Sequence, residues 1–315
     1  MCSFESAIVE ISGICNAKCK WCVTGRDNRY GKFTNKTFMS YEKFIQIYNH
    51  LMQLDLINKK ADMMLYSWGE PFLNPEAFKI FEFLSNIKQM FSLSTNGSVY
   101  KKANTRDTYK YMSSITFSLP GFSQESYNKM HGFEFRVIQQ NIIKLLDDMR
   151  ENGFTGNALI VFHVYKFNQH EIIAAKQFAD ILHAQFIPYY AYFNGLSLVQ
   201  KFVNRTFSAD EWKEVQDELC LHYLERRYGE TSADFKCPLR KILTIDEMGN
   251  LVLCCAADCR IEGYVLGEIL SFGKEKIIEE LDKAMSENIS CMECHSKKID
   301  AWLTKYQKWE GQLSE

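Results

Sequence analysis

Strand-like and helix-like hydrophobic patterns alternate along residues 1–195. Short runs rich in β-branched and aromatic residues predict strands at 7–12, 61–66, 90–94, 114–119, 157–165 and 185–193. Longer stretches whose apolar residues recur every three or four positions predict helices at 41–56, 76–87, 135–152 and 169–183. Strands that alternate with helices pair in parallel, so the pattern predicts an α/β fold built on a parallel sheet.

Turn-forming motifs follow the predicted strands. Ligands in such sheets bind at the carboxyl ends of the strands, where the loops converge. In chain order, the motifs occupy residues 15–22, 67–71 (Ser-Trp-Gly-Glu-Pro), 94–97 (Ser-Thr-Asn-Gly), 118–121 (Ser-Leu-Pro-Gly) and 166–171. Each one alone is ordinary turn chemistry. Five motifs in register behind five strands predict one shared site.

The first motif contains three cysteines, Cys15, Cys19 and Cys22, in a C-x3-C-x2-C spacing. Three thiolates can bind three irons of a four-iron cluster and leave the fourth iron open to a reactant. The same spacing would also align the three thiols as an apolar stripe on a helix. Gly13 and Asn16 are loop formers, which favours a loop folded around a cluster.

Composition indicates a globular enzyme. The 315 residues are 46% hydrophobic, enough for a sizeable core, and the formal net charge of −2 gives no general attraction to nucleic acid or acidic membranes. The sequence shows neither a signal peptide nor a membrane span. Eleven cysteines in such a chain indicate metal binding before disulfides. We therefore expect a cytoplasmic protein with no nucleic-acid or membrane partner.

A second set of cysteines lies in the last third of the chain. Cys237, Cys254, Cys291 and Cys294 follow the pattern C-x11-G-x4-C, a gap, then C-x2-C. Four thiols close a metal site, which on the residues alone fits an iron–sulfur cluster or a structural zinc ion. The polar stretch 246–250 predicts a hairpin turn between the first two of these cysteines.

The motifs of residues 1–195 resemble those of the radical S-adenosylmethionine (SAM) superfamily. The three early cysteines match its cluster ligands, and Gly69-Glu70-Pro71 is similar to its Gly-Gly-Glu-Pro turn, with Trp68 replacing the first glycine. The resemblance implies a partial (β/α)6 barrel and one [4Fe-4S] cluster whose open iron binds SAM. It also implies a flavodoxin- or ferredoxin-like electron donor.

The resemblance further implies which residues contact SAM. Glu70 would accept the methionine amine, and Ser118 would meet the ribose. Asn168 would lie near the adenine, although an asparagine here equally suits a helix cap. The full set of expected cofactor contacts is Trp21, Gly69, Glu70, Ser94, Asn96, Ser118 and Asn168.

The C-terminal cysteines resemble the shortened twitch form of the SPASM auxiliary-cluster domain, a small α+β unit. The longer form continues with further cysteines, whereas Cys294 is the last one here. The resemblance implies one auxiliary [4Fe-4S] cluster on Cys237, Cys254, Cys291 and Cys294, with zinc as the alternative. The expected division is a barrel at 1–195, a helical connector at 196–235 and a twitch domain at 236–315.

The resemblance implies reductive cleavage of SAM to a 5′-deoxyadenosyl radical that removes hydrogen from a substrate carbon. Electron transfer to the auxiliary cluster would then give dehydrogenation. Hydrogen return from a thiol would give epimerisation, and Cys255 is the favoured donor, ahead of Cys259. A start about 15 residues before the cluster motif favours a small carbohydrate-type substrate over a ribosomally made peptide. A protein that only transfers electrons is the alternative from another class.

Three remaining groups have plainer interpretations. His163, on a predicted strand, is expected to be a core histidine. Of the aromatic residues Tyr189, Tyr190, Tyr192 and Phe193, strand alternation allows only half to face a substrate pocket. The apolar positions of the tail, 299–309, have helical spacing and are expected to pack against the barrel.

Overall fold

The computed structural model describes residues 4–32, 36–103, 105–225, 237–257, 263–288, 291 and 294. The tail at 299–309 and Cys259 lie outside these residues. Within them, the strands are β1 Ser6–Val9, β2 Asp62–Met64, β3 Phe91–Thr95, β4 Met112–Leu119, β5 Asn157–Val164, β6 Gln185–Tyr190, β7 Ile242–Ile245, β8 Asn250–Val252 and β9 Val265–Glu268. They form one sheet in the order β6-β5-β4-β3-β2-β1-β7-β8-β9.

The first six strands are all parallel to their neighbours, as the alternating pattern predicts. The helices are α1 Val23–Tyr30, α2 Tyr41–Gln53, α3 Ala77–Asn86, α4 Gln124–Lys129, α5 Phe135–Glu151, α6 Ile172–Ile181, α7 Leu196–Val203, α8 Ala209–Glu218, α9 Leu221–Glu225 and α10 Lys274–Glu287. The four predicted helices are α2, α3, α5 and α6, within a few residues at each end. None of the described helices is long and apolar enough to cross a membrane.

The two faces of the barrel strands differ in burial. On β4, Ile115 and Phe117 are fully buried, whereas Ser114, Thr116 and Ser118 between and beside them are half-buried. Successive side chains of a strand point to opposite faces, so the buried set packs under the helices in the main hydrophobic core. The half-buried set faces the barrel interior. That interior is therefore polar near the ends of the strands.

The last barrel strand is shorter than its pattern predicts. β6 ends at Tyr190 rather than at 193. Beyond it the chain turns towards the cysteine loop, where the Asn194 backbone N–H donates to the carbonyl of Trp21 at 2.7 Å. The backbone near Asn194 forms its hydrogen bonds with the cysteine loop instead of with β5, which explains why the strand ends early.

The C-terminal strands extend the barrel's own sheet. β7 pairs in parallel with β1, while β8 and β9 add antiparallel strands at the far edge. The predicted hairpin turn forms between β7 and β8, where the Asp246 carboxylate accepts the N–H groups of Met248 and Asn250 at 3.0 and 2.8 Å. Gly249 has a φ of 87°, a conformation that favours glycine. An α/β barrel sheet with an antiparallel C-terminal addition is the architecture that results.

Candidate active site

Cys15, Cys19 and Cys22 lie on the loop that follows β1. Helix α1 begins at Val23, directly after the third cysteine, so the three thiols do not form a stripe on one helix. The Asn28 side chain of that helix donates to the carbonyls of Cys15 and Ala17, both at 2.7 Å. Helix α1 thus fixes the backbone of the loop between Cys15 and Ala17.

Helix α1 packs directly on this loop. A Cβ at Gly25 would lie 2.4 Å from both the backbone nitrogen and the carbonyl oxygen of Cys19, so only glycine allows the approach. One turn later, the Arg29 guanidinium donates to the carbonyl of Lys18 at 3.0 and 2.8 Å. The backbone around Cys19 is therefore fixed from the helix side.

The thiols fit the ligand set of a four-iron cluster. Burial raises the pKa of Cys15 to about 12, with the nearby Glu70 adding to the effect, and burial also raises the pKa of Cys19. Metal binding is what converts such thiols to thiolates. The amide groups of Asn96 and Asn194 point at the sulfurs of Cys15 and Cys22, each at 3.7 Å. Both are donors suited to thiolate sulfur.

Across the described residues, no three His, Cys, Asp or Glu side chains are arranged to share a single metal ion. A four-iron cluster does not require that arrangement, because each thiolate binds a different iron.

The turn after β2 packs against the same loop. A Cβ at Gly69 would lie 1.8 Å from the carbonyl oxygen of Ser12, so the residue must be glycine. Glu10, just after β1, accepts the backbone N–H groups of Trp68 and Gly69 through one oxygen, at 2.6 and 2.8 Å. Sequence reasoning missed Glu10. Its only signal was a carboxylate within the otherwise apolar run Ile8-Val9-Glu10-Ile11.

Glu10 belongs to a buried group of charges. Burial raises the pKa of Glu10 to about 8; Glu247 adds to the rise, whereas Lys36 and the two N–H groups oppose it. Lys36 forms an ion pair with Glu247 at 3.4 Å, and both side chains are largely buried. Glu247 lies on the β7–β8 hairpin, so this group connects the C-terminal strands to the turn at Gly69.

Glu70 connects the β2 turn to the end of β3. Its carboxylate accepts the Thr95 hydroxyl and the Asn96 backbone N–H, both at 2.8 Å, and the Phe72 N–H at 3.2 Å. Burial raises the pKa of Glu70 to about 7 against these hydrogen bonds. Three of about four acceptor positions are thus used within the protein. One position remains for the expected methionine amine, and that contact stays a prediction.

Ser94, Asn96 and Ser118 lie at the ends of the neighbouring strands β3 and β4. Asn96 is 8% exposed and contacts Cys15. Ser94, half-buried on β3, pairs in register with Thr116 of β4, two residues before Ser118. Ser94 and Ser118 therefore lie on the same face of neighbouring strands, and the SAM contacts expected of all three residues stay predictions.

His163 differs from the expectation of a core histidine. Its Nε2 is hydrogen-bonded to the Ser118 hydroxyl at 2.9 Å, and the ring is half-buried on the interior side of β5. Burial lowers the pKa of His163 to about 4, so the imidazole is neutral at physiological pH. The sequence could have indicated this position, because His163 follows Leu159 and Val161 at two-residue spacing and so lies on the same face of β5.

The side chains of two residues expected to contact SAM, Trp21 and Asn168, are buried and hydrogen-bonded within the protein. The Trp21 indole is 2% exposed, donates to Glu218 at 3.0 Å and packs edge-on against Phe193. Asn168 is fully buried, and its side-chain amide donates hydrogen bonds to the carbonyls of Pro120 and His163, both at 2.9 Å. Asn168 thus connects the ends of β4 and β5, and its side chain does not cap the helix that follows. Its expected contact with adenine stays a prediction.

The aromatic residues at the end of β6 divide between the two faces. Tyr189 and Tyr192 have ring centroids 5.8 and 6.2 Å from that of His163. Tyr190 is buried and stacks on Tyr223 with centroids 3.6 Å apart. Tyr189, Tyr192 and His163 thus form one aromatic wall beside Ser118.

The later cysteines gather on the C-terminal side. Burial, with Cys237 as a neighbouring charge, raises the pKa of Cys254 and also that of Cys255, the latter to about 11. Cys254, Cys291 and Cys294 pack in the hydrophobic cluster that also contains Trp21. These cysteines therefore share one region, and Cys255 lies beside the expected ligands.

Residues 194–196 join the two cysteine regions. Asn194 exchanges backbone hydrogen bonds with the early loop, accepting from Val23 at 3.2 Å and donating to Trp21. Two residues on, Leu196 donates to the carbonyl of Ala256 at 3.0 Å, next to Cys255. A short backbone path therefore connects the early loop to the C-terminal cysteines.

Comparison with solved structures shows a shared fold. The structure of native anSMEcpe with bound AdoMet has a TM-score of 0.56 and 17% identity, covering 91% of this chain and 84% of that chain. Streptococcus suis SuiB bound to S-adenosylmethionine has a TM-score of 0.56 and 15% identity, covering 93% and 68%. BtrN in complex with AdoMet and 2-DOIA has a TM-score of 0.50 and 15% identity, covering 94% and 90%.

Sequence comparison identifies the family. No curated protein matches this chain. The family model described as the radical SAM superfamily matches residues 9–179, a span that includes the three early cysteines and every strand-end motif. Since this match covers more than half of the 315 residues, the chain belongs to the radical SAM superfamily.

Proposed function

We propose that this chain is a radical SAM oxidoreductase or epimerase that acts on a small carbohydrate-type substrate. The cluster and SAM, when bound, supply a 5′-deoxyadenosyl radical able to abstract hydrogen from a substrate carbon. One observation carries the proposal. Asn96 contacts the sulfur of Cys15 while its backbone N–H is held by Glu70, so the cysteine loop, the Gly69 turn and the end of β3 form one unit.

The chain's own residues would bind and orient SAM in this unit. The half-buried thiols of Cys15, Cys19 and Cys22 would hold the cluster. Gly69 and Glu70 would receive the methionine end, and Ser118 would reach the ribose hydroxyls. Reducing equivalents would come from a flavodoxin- or ferredoxin-like donor.

The aromatic wall supports a carbohydrate-type substrate. Tyrosine rings pack well against the C–H faces of sugar-like rings, while neutral His163 can exchange hydrogen bonds with hydroxyl groups. Substrate sites commonly combine an apolar lining with a few polar groups that fix orientation. The wall formed by Tyr189, Tyr192 and His163 has this composition.

A peptide substrate is the second candidate. The structure of native anSMEcpe with bound AdoMet and the Cp18Cys peptide has a TM-score of 0.53 with this chain at 18% identity. BtrN, by contrast, was solved with 2-DOIA. Both classes of ligand therefore occur on this fold, and the fold does not choose between them.

The deciding experiment measures 5′-deoxyadenosine release by the reconstituted, reduced enzyme. Small-metabolite and peptide fractions of an extract from the source cell are compared. Stimulation by the small-metabolite fraction supports the proposed class. Stimulation by the peptide fraction alone moves the chain to radical epimerisation or crosslinking of a ribosomal peptide. No release with any fraction would favour a protein that only transfers electrons.

We further propose that the C-terminal region is a twitch-type SPASM domain. Its auxiliary [4Fe-4S] cluster would be bound by Cys237, Cys254, Cys291 and Cys294. Their shared region supports a common site. Two clusters correspond to about eight irons per chain. About four irons with one zinc would instead support a structural zinc site.

Cys255 is the proposed hydrogen donor for an epimerisation. The variant Cys255→Ala should still release 5′-deoxyadenosine but lose solvent deuterium from the product. Cys220→Ala is the matched control, because Cys220 is a buried thiol whose contact is Gln169, at 3.8 Å. Unchanged incorporation in Cys255→Ala would show that another group donates the hydrogen, whereas no incorporation by the wild type would favour dehydrogenation.

A further inference from the structure

We propose that Glu218, at the end of α8, neutralises the positive charge of Lys20 between two of the cluster-binding cysteines and so keeps the reduction potential of the bound cluster low. This inference rests on the proposed binding of the cluster by Cys15, Cys19 and Cys22. It assigns a function to a residue of α8, a helix outside the residues that match the superfamily model.

One carboxylate binds both residues that separate Cys19 from Cys22. The Glu218 Oε1 accepts a hydrogen bond from the Lys20 ammonium at 2.6 Å, and its Oε2 accepts the Trp21 indole N–H at 3.0 Å. Lys20 is joined directly to Cys19 in the chain, and Trp21 is joined directly to Cys22. The carboxylate therefore lies against the two-residue link between two expected cluster ligands.

Both sides of this contact are fixed by the rest of the protein. The Glu218 backbone carbonyl accepts the N–H of Lys166, in the loop after β5, at 2.9 Å. The Lys166 ammonium in turn donates to the carbonyl of Gln216 at 2.6 Å. On the other side, Trp21 is buried and packs edge-on against Phe193. The carboxylate is thus held at the cysteine loop by contacts that do not involve the lysine.

The ion pair is largely shielded from water. The side chains of Lys20 and Glu218 are each 15% exposed, so salt and water screen their charges less than those of surface groups. Glu214, one turn earlier on α8, lies 3.4 Å from the Lys20 ammonium, but its side chain is 40% exposed. A buried ion pair often adds little net stability, because desolvation offsets the attraction. An effect on the neighbouring cluster explains the burial of this pair better.

The effect on the cluster follows from charge. Reduction adds an electron to the cluster, and the net charge around it helps to set its potential. An unpaired Lys20 ammonium beside the cysteines would stabilise the reduced, more negative state, and the Glu218 carboxylate cancels that effect. Across about 10 Å, at an effective dielectric constant of about 20, one unit charge changes such an equilibrium roughly tenfold. The pairing therefore makes the reduced cluster a stronger electron donor to SAM.

The test compares Glu218→Gln with Lys20→Gln. The first variant keeps an oxygen acceptor for the Trp21 indole and removes the negative charge, whereas the second removes the positive charge. The readout is an electron paramagnetic resonance redox titration of the reconstituted full chain. The signal that changes on addition of SAM identifies the open-iron cluster.

Asp180→Asn is the matched control. It also removes one carboxylate from an ion pair, with Lys176 at 2.6 Å. Asp180 lies in the last turn of α6, which leads back to the amino end of β6, whereas the cysteine loop follows the carboxyl end of β1. Loss of this charge should leave the potential as it is in the wild type.

We expect the two single variants to shift the potential in opposite directions. Glu218→Gln should favour the reduced form about tenfold, which is about 59 mV for one electron, and Lys20→Gln should favour the oxidised form by a similar factor. The double variant, Lys20→Gln with Glu218→Gln, should titrate as the wild type does. A merely structural change would not follow the sign of the removed charge.

The inference is overturned if either variant, once assembled, leaves the potential unshifted or moves it in the other direction. If a single variant does not assemble its cluster, the double variant decides. A double variant that binds iron and titrates as the wild type shows that the cluster needs the charge balance, and one that does not overturns the inference. A wild-type chain without a SAM-sensitive signal instead overturns the proposed cluster site, so the two failures are distinct.

Discussion

The Glu10 carboxylate, just after β1, accepts the backbone N–H of Gly69 on the loop after β2 at 2.8 Å. The same oxygen accepts the N–H of Trp68 at 2.6 Å. The turn is thus held through backbone atoms that almost any residue provides. This explains how Trp68 can occupy a position where the superfamily pattern has glycine. Gly69 has no such freedom, because the Ser12 carbonyl fills the space of a Cβ.

Removing the Glu10 side chain should weaken SAM binding. The raised pKa leaves Glu10 largely protonated at neutral pH, so removing it takes away a neutral acceptor and leaves the N–H groups of Trp68 and Gly69 unpaired. Such a loss costs about 1–3 kcal/mol, and each 1.4 kcal/mol is about tenfold in affinity. We expect Glu10→Ala to raise the dissociation constant for SAM roughly 10- to 100-fold in equilibrium dialysis, with iron content unchanged. Glu10→Gln keeps an acceptor oxygen and should bind nearly as the wild type does. Wild-type affinity in Glu10→Ala would show that the turn needs no support from β1.

Glu10 should also make stability depend on pH. Burial raises its pKa from 4.5 to about 8 in the folded chain, so between these values the folded state binds a proton that the unfolded state has lost. The stability associated with this proton is full below pH 4.5 and is lost as the pH rises through 8.

Wild-type stability should therefore fall by up to about 1.4 kcal/mol per pH unit across this window from Glu10 alone. Glu10→Gln, which mimics the protonated side chain, should lose less between pH 6 and 8. Anaerobic urea unfolding at the two pH values measures the difference. Parallel losses in the two proteins would mean that Glu10 is ionised in both states or in neither.

Burial and periodicity explain what the sequence could and could not predict. Apolar runs and turn residues are local signals, so the six barrel strands and the motifs behind them could be placed in advance. The roles of Glu10 and Asn168 depend on which neighbouring loop each side chain meets, and no local pattern contains that information. The period of β6 predicts that half of its tyrosines face inward. Only its register with β5, where His163 pairs with Tyr189, decides which half.

A methyl group at Gly25 should disrupt the cysteine loop. Its Cβ would lie 2.4 Å from backbone atoms of Cys19, and backbone cannot move aside as a side chain can. We expect Gly25→Ala to lose most of the iron bound at this loop after anaerobic reconstitution. Gly273→Ala is the control, because nothing lies within 4 Å of its added Cβ. Equal iron content in both variants would contradict the close packing of α1 on the loop.

The Ser118 hydroxyl should matter for SAM, and that of Ser114 should not. Both serines lie half-buried on the interior side of β4, but Ser118 is closer to the carboxyl end and is bonded to His163. Ser118→Ala would leave the His163 Nε2 without this partner and remove a ribose contact, so we expect a roughly tenfold loss of SAM affinity. Ser114→Ala should bind SAM normally. Equal affinities would place the ribose away from β4.

Adjacent tyrosines of β6 should show opposite effects when replaced by alanine. Tyr189 faces the barrel interior beside His163, whereas Tyr190 is 7% exposed and stacks on Tyr223. An aromatic contact contributes about 0.5–1.5 kcal/mol, so Tyr189→Ala should raise the KM for the stimulating metabolite roughly three- to tenfold. Its thermal stability should change little.

Tyr190→Ala should do the reverse. Loss of a buried aromatic side chain costs about 3–5 kcal/mol, which lowers the melting temperature while leaving KM unchanged in the folded fraction. Steady-state kinetics of 5′-deoxyadenosine release and thermal unfolding, measured on both variants, separate the two effects. If Tyr189→Ala changed stability but not KM, the aromatic wall would be structural. The substrate would then have to contact another part of the barrel interior, and the argument for a carbohydrate-type ligand would lose its main support.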